Sequence, residues 1–126
     1  MAGGQIRWGR ILLGGFLTEV AIFAVYIPLN TIDTQVAFYA VPFLICGAAI
    51  LFGWFVARPL QDRFVLHGAL TAVTASVMYL ALNVAAGTLP LVPWLFHVFN
   101  VLRPAAGAVG GALARSRHAD PTRAAV

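Results

Sequence analysis

From Ile11 to Ala57 the chain carries two charged side chains, Glu19 and Asp33, and from Phe64 to Ala114 it carries one, Arg103. Of its 126 residues, 61% are hydrophobic and 10% are charged. Ordinary globular domains run at about 45–50% and about 25%. A soluble fold of this size could not cover its surface with so few charges, and disorder needs the opposite balance of low hydrophobicity and high net charge. The chain reads as a small all-α integral membrane protein of one domain.

A hydrocarbon core of about 30 Å takes about 20 helical residues at about 1.5 Å each. Four stretches qualify: 9–29, 36–57, 64–86 and 91–113. They are expected to be helices, because lipid offers no partner to an unpaired backbone group. Loops are expected at Asn30 to Gln35, Arg58 to Arg63 and Gly87 to Pro90, with 114–126 as a polar cytoplasmic tail. The first stretch is too long for a cleavable signal, carries Glu19 and lacks an A-x-A site.

The formal net charge is +4, from eight Arg, no Lys, and four acidic residues. On a soluble protein that excess would suggest nucleic acid. Here the arginines flank apolar segments, where they set orientation and meet anionic headgroups, so lipid and not nucleic acid is the expected partner. With four crossings, Arg7, Arg10, Arg58, Arg63, Arg115, Arg117 and Arg123 all fall on one side, and the other loops hold only Asp33. Both termini are therefore expected in the cytoplasm. The absence of Lys beside abundant Ala, Gly and Arg points to a GC-rich, bacterial genome and so to an inner membrane. Trp8, Trp54 and Trp94 lie near span ends and read as interfacial anchors.

A displacement of 53 positions superimposes the first helix on the third, with nine identities between Arg10 and Asn30. Among them Gly15 meets Gly68, Thr18 meets Thr71, Tyr26 meets Tyr79 and Asn30 meets Asn83. A shorter loop then brings Val41-Pro42 onto Val92-Pro93. The spacing reads as two tandem helical hairpins, parallel repeats related by a pseudo-twofold axis along the membrane normal. Two charges break the match, since Glu19 falls on Ala72 and Arg103 on Phe52.

Glu19 and Arg103 are costly inside a span, about 2.5–3.5 kcal/mol for Arg at a helix centre. Nine residues from Arg10 put Glu19 about 13 Å from the inner boundary, and twelve from Arg115 put Arg103 about 18 Å from it. An arginine side chain spans the difference, so an ion pair between the first and last helices is expected. Thr18 and Tyr26 share the face of Glu19, while His97 and Asn100 share that of Arg103, extending the pair into a polar seam. Gly15, Gly68, Gly107 and Gly111 read as close helix-packing positions, the last two forming G-x-x-x-G. Pro104 removes a backbone donor and leaves the Asn100 carbonyl to Arg103 or water.

His67 and His97 lie at different depths, too far apart to hold one haem. His67 reads as interfacial, His97 as a partner of Asn100 or of water in the bundle, and His118 as solvated in the tail. Cys46 is alone, and neither a metal-ligand pattern nor a nucleophile–base set is visible, so no cofactor, metal or catalytic residue is expected.

Two roles stay open for the polar seam. It could lock the packing of a non-enzymatic accessory, assembly or interaction component, alone, as a homodimer or with another membrane protein. Alternatively Glu19 could couple a small exporter to protons. The segment Gly14-Gly15-Phe16-Leu17-Thr18-Glu19-Val20 is similar to the stretch around the essential glutamate of the small multidrug resistance transporters. That resemblance implies a dimer in which Glu19 binds protons and cationic compounds in turn. That family has no midplane arginine like Arg103.

Overall fold

The computed structural model describes residues 4–119. Four α-helices account for most of them: α1 (Trp8–Ile32), α2 (Thr34–Ala57), α3 (Phe64–Ala85) and α4 (Trp94–His118). A single 3-10 turn, Leu89–Leu91, precedes α4. Three helices, α1 to α3, are long and apolar enough to cross a membrane. The fourth is as long but carries Asn100, Arg103 and a basic last turn.

The helix ends differ from expectation for local reasons. No loop runs from Asn30 to Gln35; α1 and α2 are separated by Asp33 alone, in extended conformation. The Asp33 carboxylate accepts from the Gln35 and Val36 amides at 2.9 and 3.1 Å, so one residue both breaks the chain and caps the next helix. The fourth helix starts at Trp94, not at residue 91, because Pro93 holds Val92 extended. It ends at His118, beyond residue 113, with Arg115, Arg117 and His118 in the last turn, where cations meet the negative end of the helix dipole. The first part of the expected tail is thus helical. Asp120 to Val126, with Arg123, lie outside the described residues. After α3, Gly87 takes the left-handed conformation (φ 67°) that reverses the chain.

Glycine decides how the helices meet. A Cβ on Gly53 would lie 2.6 Å from the Gly107 carbonyl oxygen, and one on Gly107 would lie 2.6 Å from the Ala72 Cβ. One on Gly110 would lie 2.7 Å from the Trp54 nitrogen, and one on Gly111 2.7 Å from the Phe64 carbonyl carbon. The α4 backbone is thereby pressed against α2 on one side and α3 on the other. On α1, Gly14 faces Val56 and Gly15 faces Thr74.

α2 and α3 also touch each other, and α1 packs on both. α1 and α4 scarcely meet. In cross-section the bundle is a rhombus, with α2 and α3 across the short diagonal and α1 and α4 across the long one. The expected pseudo-twofold arrangement is not confirmed by these contacts. Such an axis would make the α1–α4 approach equal to that of α2–α3, and the two differ sharply.

The surface is apolar and the interior partly polar. Phe43 and Val101 are 79% and 78% exposed, while Thr18, Glu19, His67, Thr71, Asn100 and Arg103 are buried. Arg103 is the largest fully buried side chain. Water would penalise that distribution, whereas hydrocarbon accepts it.

Residues near both ends of the described chain meet the α2–α3 loop. The Gly4 amide donates to Asp62 at 2.9 Å, and His118 Nε2 pairs with the Arg58 carbonyl at 2.7 Å. Arg58 and Arg117 each lie 5.3 Å from the Trp54 ring. Six arginines therefore share one end of the bundle, and Asp33 lies at the other.

Gly107→Ala is expected to lower stability by about 1–3 kcal/mol through overpacking. Gly47→Ala, which meets nothing within 4 Å, is expected to be neutral or stabilising by up to about 1 kcal/mol. Thermal unfolding of both variants in one detergent checks the contrast.

Candidate functional site

Arg103 Nη1 donates to Glu19 Oε1, and the two side chains are 0% and 3% exposed. Glu19 sits near the middle of α1 and Arg103 near the middle of α4. The pair therefore crosses the long diagonal, where the two helices themselves do not pack. Its bonding is incomplete. Glu19 Oε2, Arg103 Nε and Arg103 Nη2 are buried without a partner among the described residues, as is Asn100 Oδ1. The Arg103 guanidinium lies 5.9 Å from the ring centre of Tyr79, within cation–π range.

Above the pair is a cavity of about 520 Å³. Glu19 and Arg103 form its floor, Ile22, Ile45 and Tyr79 part of its wall, and Ala86, Thr88 and Leu91 its far rim. The rim residues belong to the end without arginines, so the cavity runs inward from there along the gap between α1 and α4. At the rim, Thr88 Oγ1 donates to Asn83 Oδ1 at 2.9 Å, and Asn83 Nδ2 donates to the Tyr79 carbonyl at 2.9 Å.

The residues expected in the seam are distributed unevenly. Tyr26 lines the cavity. Thr18 is buried, but its hydroxyl donates back to the Gly14 carbonyl at 2.7 Å within α1. Asn100 is buried and its Nδ2 donates to the Phe96 carbonyl at 2.9 Å, not to His97. His97 is only partly buried and makes no hydrogen bond among the described residues. It stands outside the seam, because the α4 turn that directs Asn100 and Arg103 inward directs His97 aside.

The Asn100 carbonyl, left without a helical donor by Pro104, accepts from Ser76 Oγ of α3 at 3.0 Å. Neither Arg103 nor a water bridge is needed there. His67 lies near the arginine-rich end of α3 and is closed off there. It is buried, its Nδ1 pairs with the Arg63 carbonyl at 2.9 Å, and its Nε2 accepts from the Arg7 amide at 3.1 Å. This pattern requires the neutral ring with the proton on Nδ1. Arg63 takes a left-handed conformation (φ 51°) at that point. His118 is exposed, as expected, with its ring centre 5.2 Å from that of Phe64.

Tyr79 and Asn83 were not singled out from the sequence as site residues. The available signal was their identity with Tyr26 and Asn30 at the 53-residue displacement. Phe23, Val41 and Phe96, also on the cavity wall, gave no signal beyond ordinary apolar periodicity. Comparison with family models, with curated proteins and with solved structures finds no match.

Removing one partner of a buried pair strands the other, at about 3–5 kcal/mol. Glu19→Gln and Arg103→Met should each destabilise on that scale, and the double variant should recover a large part of the loss. Purely additive losses in thermal unfolding would contradict the pairing. A second cycle isolates the proline contact. Ser76→Ala is expected to cost about 1 kcal/mol in the wild type and close to nothing beside Pro104→Ala, where the restored amide takes over the Asn100 carbonyl.

Proposed function

We propose that this chain is a small, non-enzymatic integral membrane protein that serves as an accessory, assembly or interaction component. It crosses the bilayer four times, with both termini and the arginine-rich end in the cytoplasm. The apolar character of α1 to α3 supports membrane residence. On α4 the polar groups turn inward, and Val98, Val101, Leu102, Val109 and Leu113 are exposed, so this helix too can face lipid. The gathering of six arginines at one end supports the orientation.

The observation that carries the functional reading is the closed Glu19–Arg103 pair. A carboxylate tied to a guanidinium holds α1 and α4 at a fixed separation. That suits a part of constant shape better than a carrier that must release its proton in each cycle. Anionic lipid at the arginine end and a second membrane protein, or a second copy, on the apolar faces are the partners this reading implies.

One observation favours the alternative, a proton-coupled exporter. The cavity reaches Glu19 from the end opposite the arginines. Reconstituted vesicles with an imposed pH gradient separate the two. The structural reading expects ethidium and tetraphenylphosphonium flux no greater than in empty vesicles, and the Glu19→Gln, Arg103→Met double variant assembling as the wild type does. Gradient-driven flux that vanishes in Glu19→Gln would establish the exporter instead.

A further inference from the structure

The arginine-rich end holds two guanidiniums on one aromatic ring. Arg58 follows Trp54 by four residues and keeps helical dihedrals, so both stand on one face of α2. Arg117 arrives from α4. Gly110 seats that helix against the Trp54 backbone, and Arg117 stands seven residues, about two turns, further along the same face. Both guanidinium carbons lie 5.3 Å from the centre of the Trp54 ring, at most twice that distance from each other. His118 Nε2 fastens the end of α4 to the Arg58 carbonyl at 2.7 Å. A cleft of about 300 Å³ lies among Trp54, Arg58, Arg117 and His118.

Charge in this cleft is unbalanced. Neither arginine forms an ion pair among the described residues, and the carboxylate of the α2–α3 loop, Asp62, accepts from the Gly4 amide. The C-termini of α2 and α4 meet here, each equivalent to about half a negative charge. Two guanidiniums exceed that by about one positive charge, which a single phosphodiester would answer.

A groove of about 600 Å³ leads away from the cleft, and Trp54 and Arg117 line both. It runs between α2 and α4 past Ile50, Leu51 and Leu113 to Gly47. Gly47 precedes Trp54 by seven residues, so the groove extends about 10 Å from the arginines toward the middle of the bundle. A Cβ on Gly47 would meet nothing within 4 Å, so no neighbouring helix closes the groove there. Leu51 and Leu113 are exposed on its banks. Polarity thus changes along one path, from a cationic cleft at the bundle end to an apolar channel pointing inward. An anionic phospholipid has the same order, phosphate first and acyl chain toward the midplane.

We propose that Trp54, Arg58 and Arg117 form a binding site for one anionic phospholipid, its phosphate between the two guanidiniums and one acyl chain in the groove between α2 and α4. Basic pockets between transmembrane helices hold anionic headgroups in this way. Trp54 keeps both guanidiniums in place through cation–π contact, and less side-chain freedom is then lost when the phosphate binds. A zwitterionic lipid fits the groove equally well, but its ammonium faces the arginines. The site rests on the membrane residence proposed above, and it fixes where at this end an anionic lipid is held.

The test follows the fluorescence of Trp54 in the full chain, with Trp8→Phe and Trp94→Phe removing the other two indoles, both of them exposed. Vesicles contain phosphatidylcholine and a minor share of phosphatidylglycerol, and one lipid or the other carries bromine on its acyl chains as a contact quencher. Phosphatidylglycerol is expected beside Trp54 at least about fivefold more often than its share predicts, the factor that one arginine supplies. Arg58→Gln with Arg117→Gln is expected to remove this preference. Arg7→Gln with Arg10→Gln takes the same charge from the same end and is expected to retain it. Gly47→Phe fills the groove and is expected to weaken quenching by brominated phosphatidylglycerol with both arginines in place. Equal losses in the two double variants would overturn the proposal in favour of a diffuse surface attraction. Undiminished quenching in Gly47→Phe would overturn it too, as would loss of the preference to millimolar inorganic phosphate at constant ionic strength. Quenching by both lipids in proportion to their shares would overturn the site and leave membrane residence standing, whereas quenching by neither would overturn both.

Discussion

A guanidinium and a carboxylate held away from water are each costly alone and tolerable only together. The Glu19–Arg103 pair joins the two helices that otherwise scarcely meet. The glycines of α4 explain why. Gly107, Gly110 and Gly111 draw that helix into backbone contact with α2 and α3 at once, and a helix wedged against both lies diagonally across from α1. The gap on the long diagonal is a consequence of tight packing elsewhere. The pair bridges it midway, and the cavity occupies it from there to the end without arginines.

The symmetry of the sequence and the asymmetry of the fold meet at the same place. Nine identities relate the first helix to the third, yet Glu19 falls opposite Ala72 and Arg103 opposite Phe52. Ala72 lies buried against Gly107. A glutamate in its place could not coexist with that approach. Where α3 holds a small residue that lets helices touch, α1 holds a charge that spans helices remaining apart.

The helical class and the apolar exterior were legible because lipid permits few alternatives. Segments of this length and composition must be helices, and scarce charges inside them must turn inward. The helix limits were less legible. Asp33 alone interrupts two helices, because its carboxylate supplies the capping bonds that a longer loop would otherwise leave open. The burial of His67 was not legible either. Its burial depends on residues 4–7 folding back over the α2–α3 loop, a long-range contact with no periodic signature. Tyr79 was hidden for a related reason. A tyrosine in an apolar helix is unremarkable until a guanidinium from another helix lies beside it.

The pattern of satisfied and open polar groups separates the site from the scaffold. Thr18 and Thr71 bond back to carbonyls of their own helices. His67 uses both ring nitrogens, and Ser76 closes the carbonyl that Pro104 leaves free. In lipid such closure is expected, since an unpaired buried group has no solvent to turn to. The buried side-chain atoms left open among the described residues belong to Glu19, Arg103 and Asn100 alone. Two of these residues form the floor of one cavity, and the third lies one turn from Arg103 on α4. The fold completes its polar bonding elsewhere and leaves it incomplete where one ion pair must span two helices that scarcely meet.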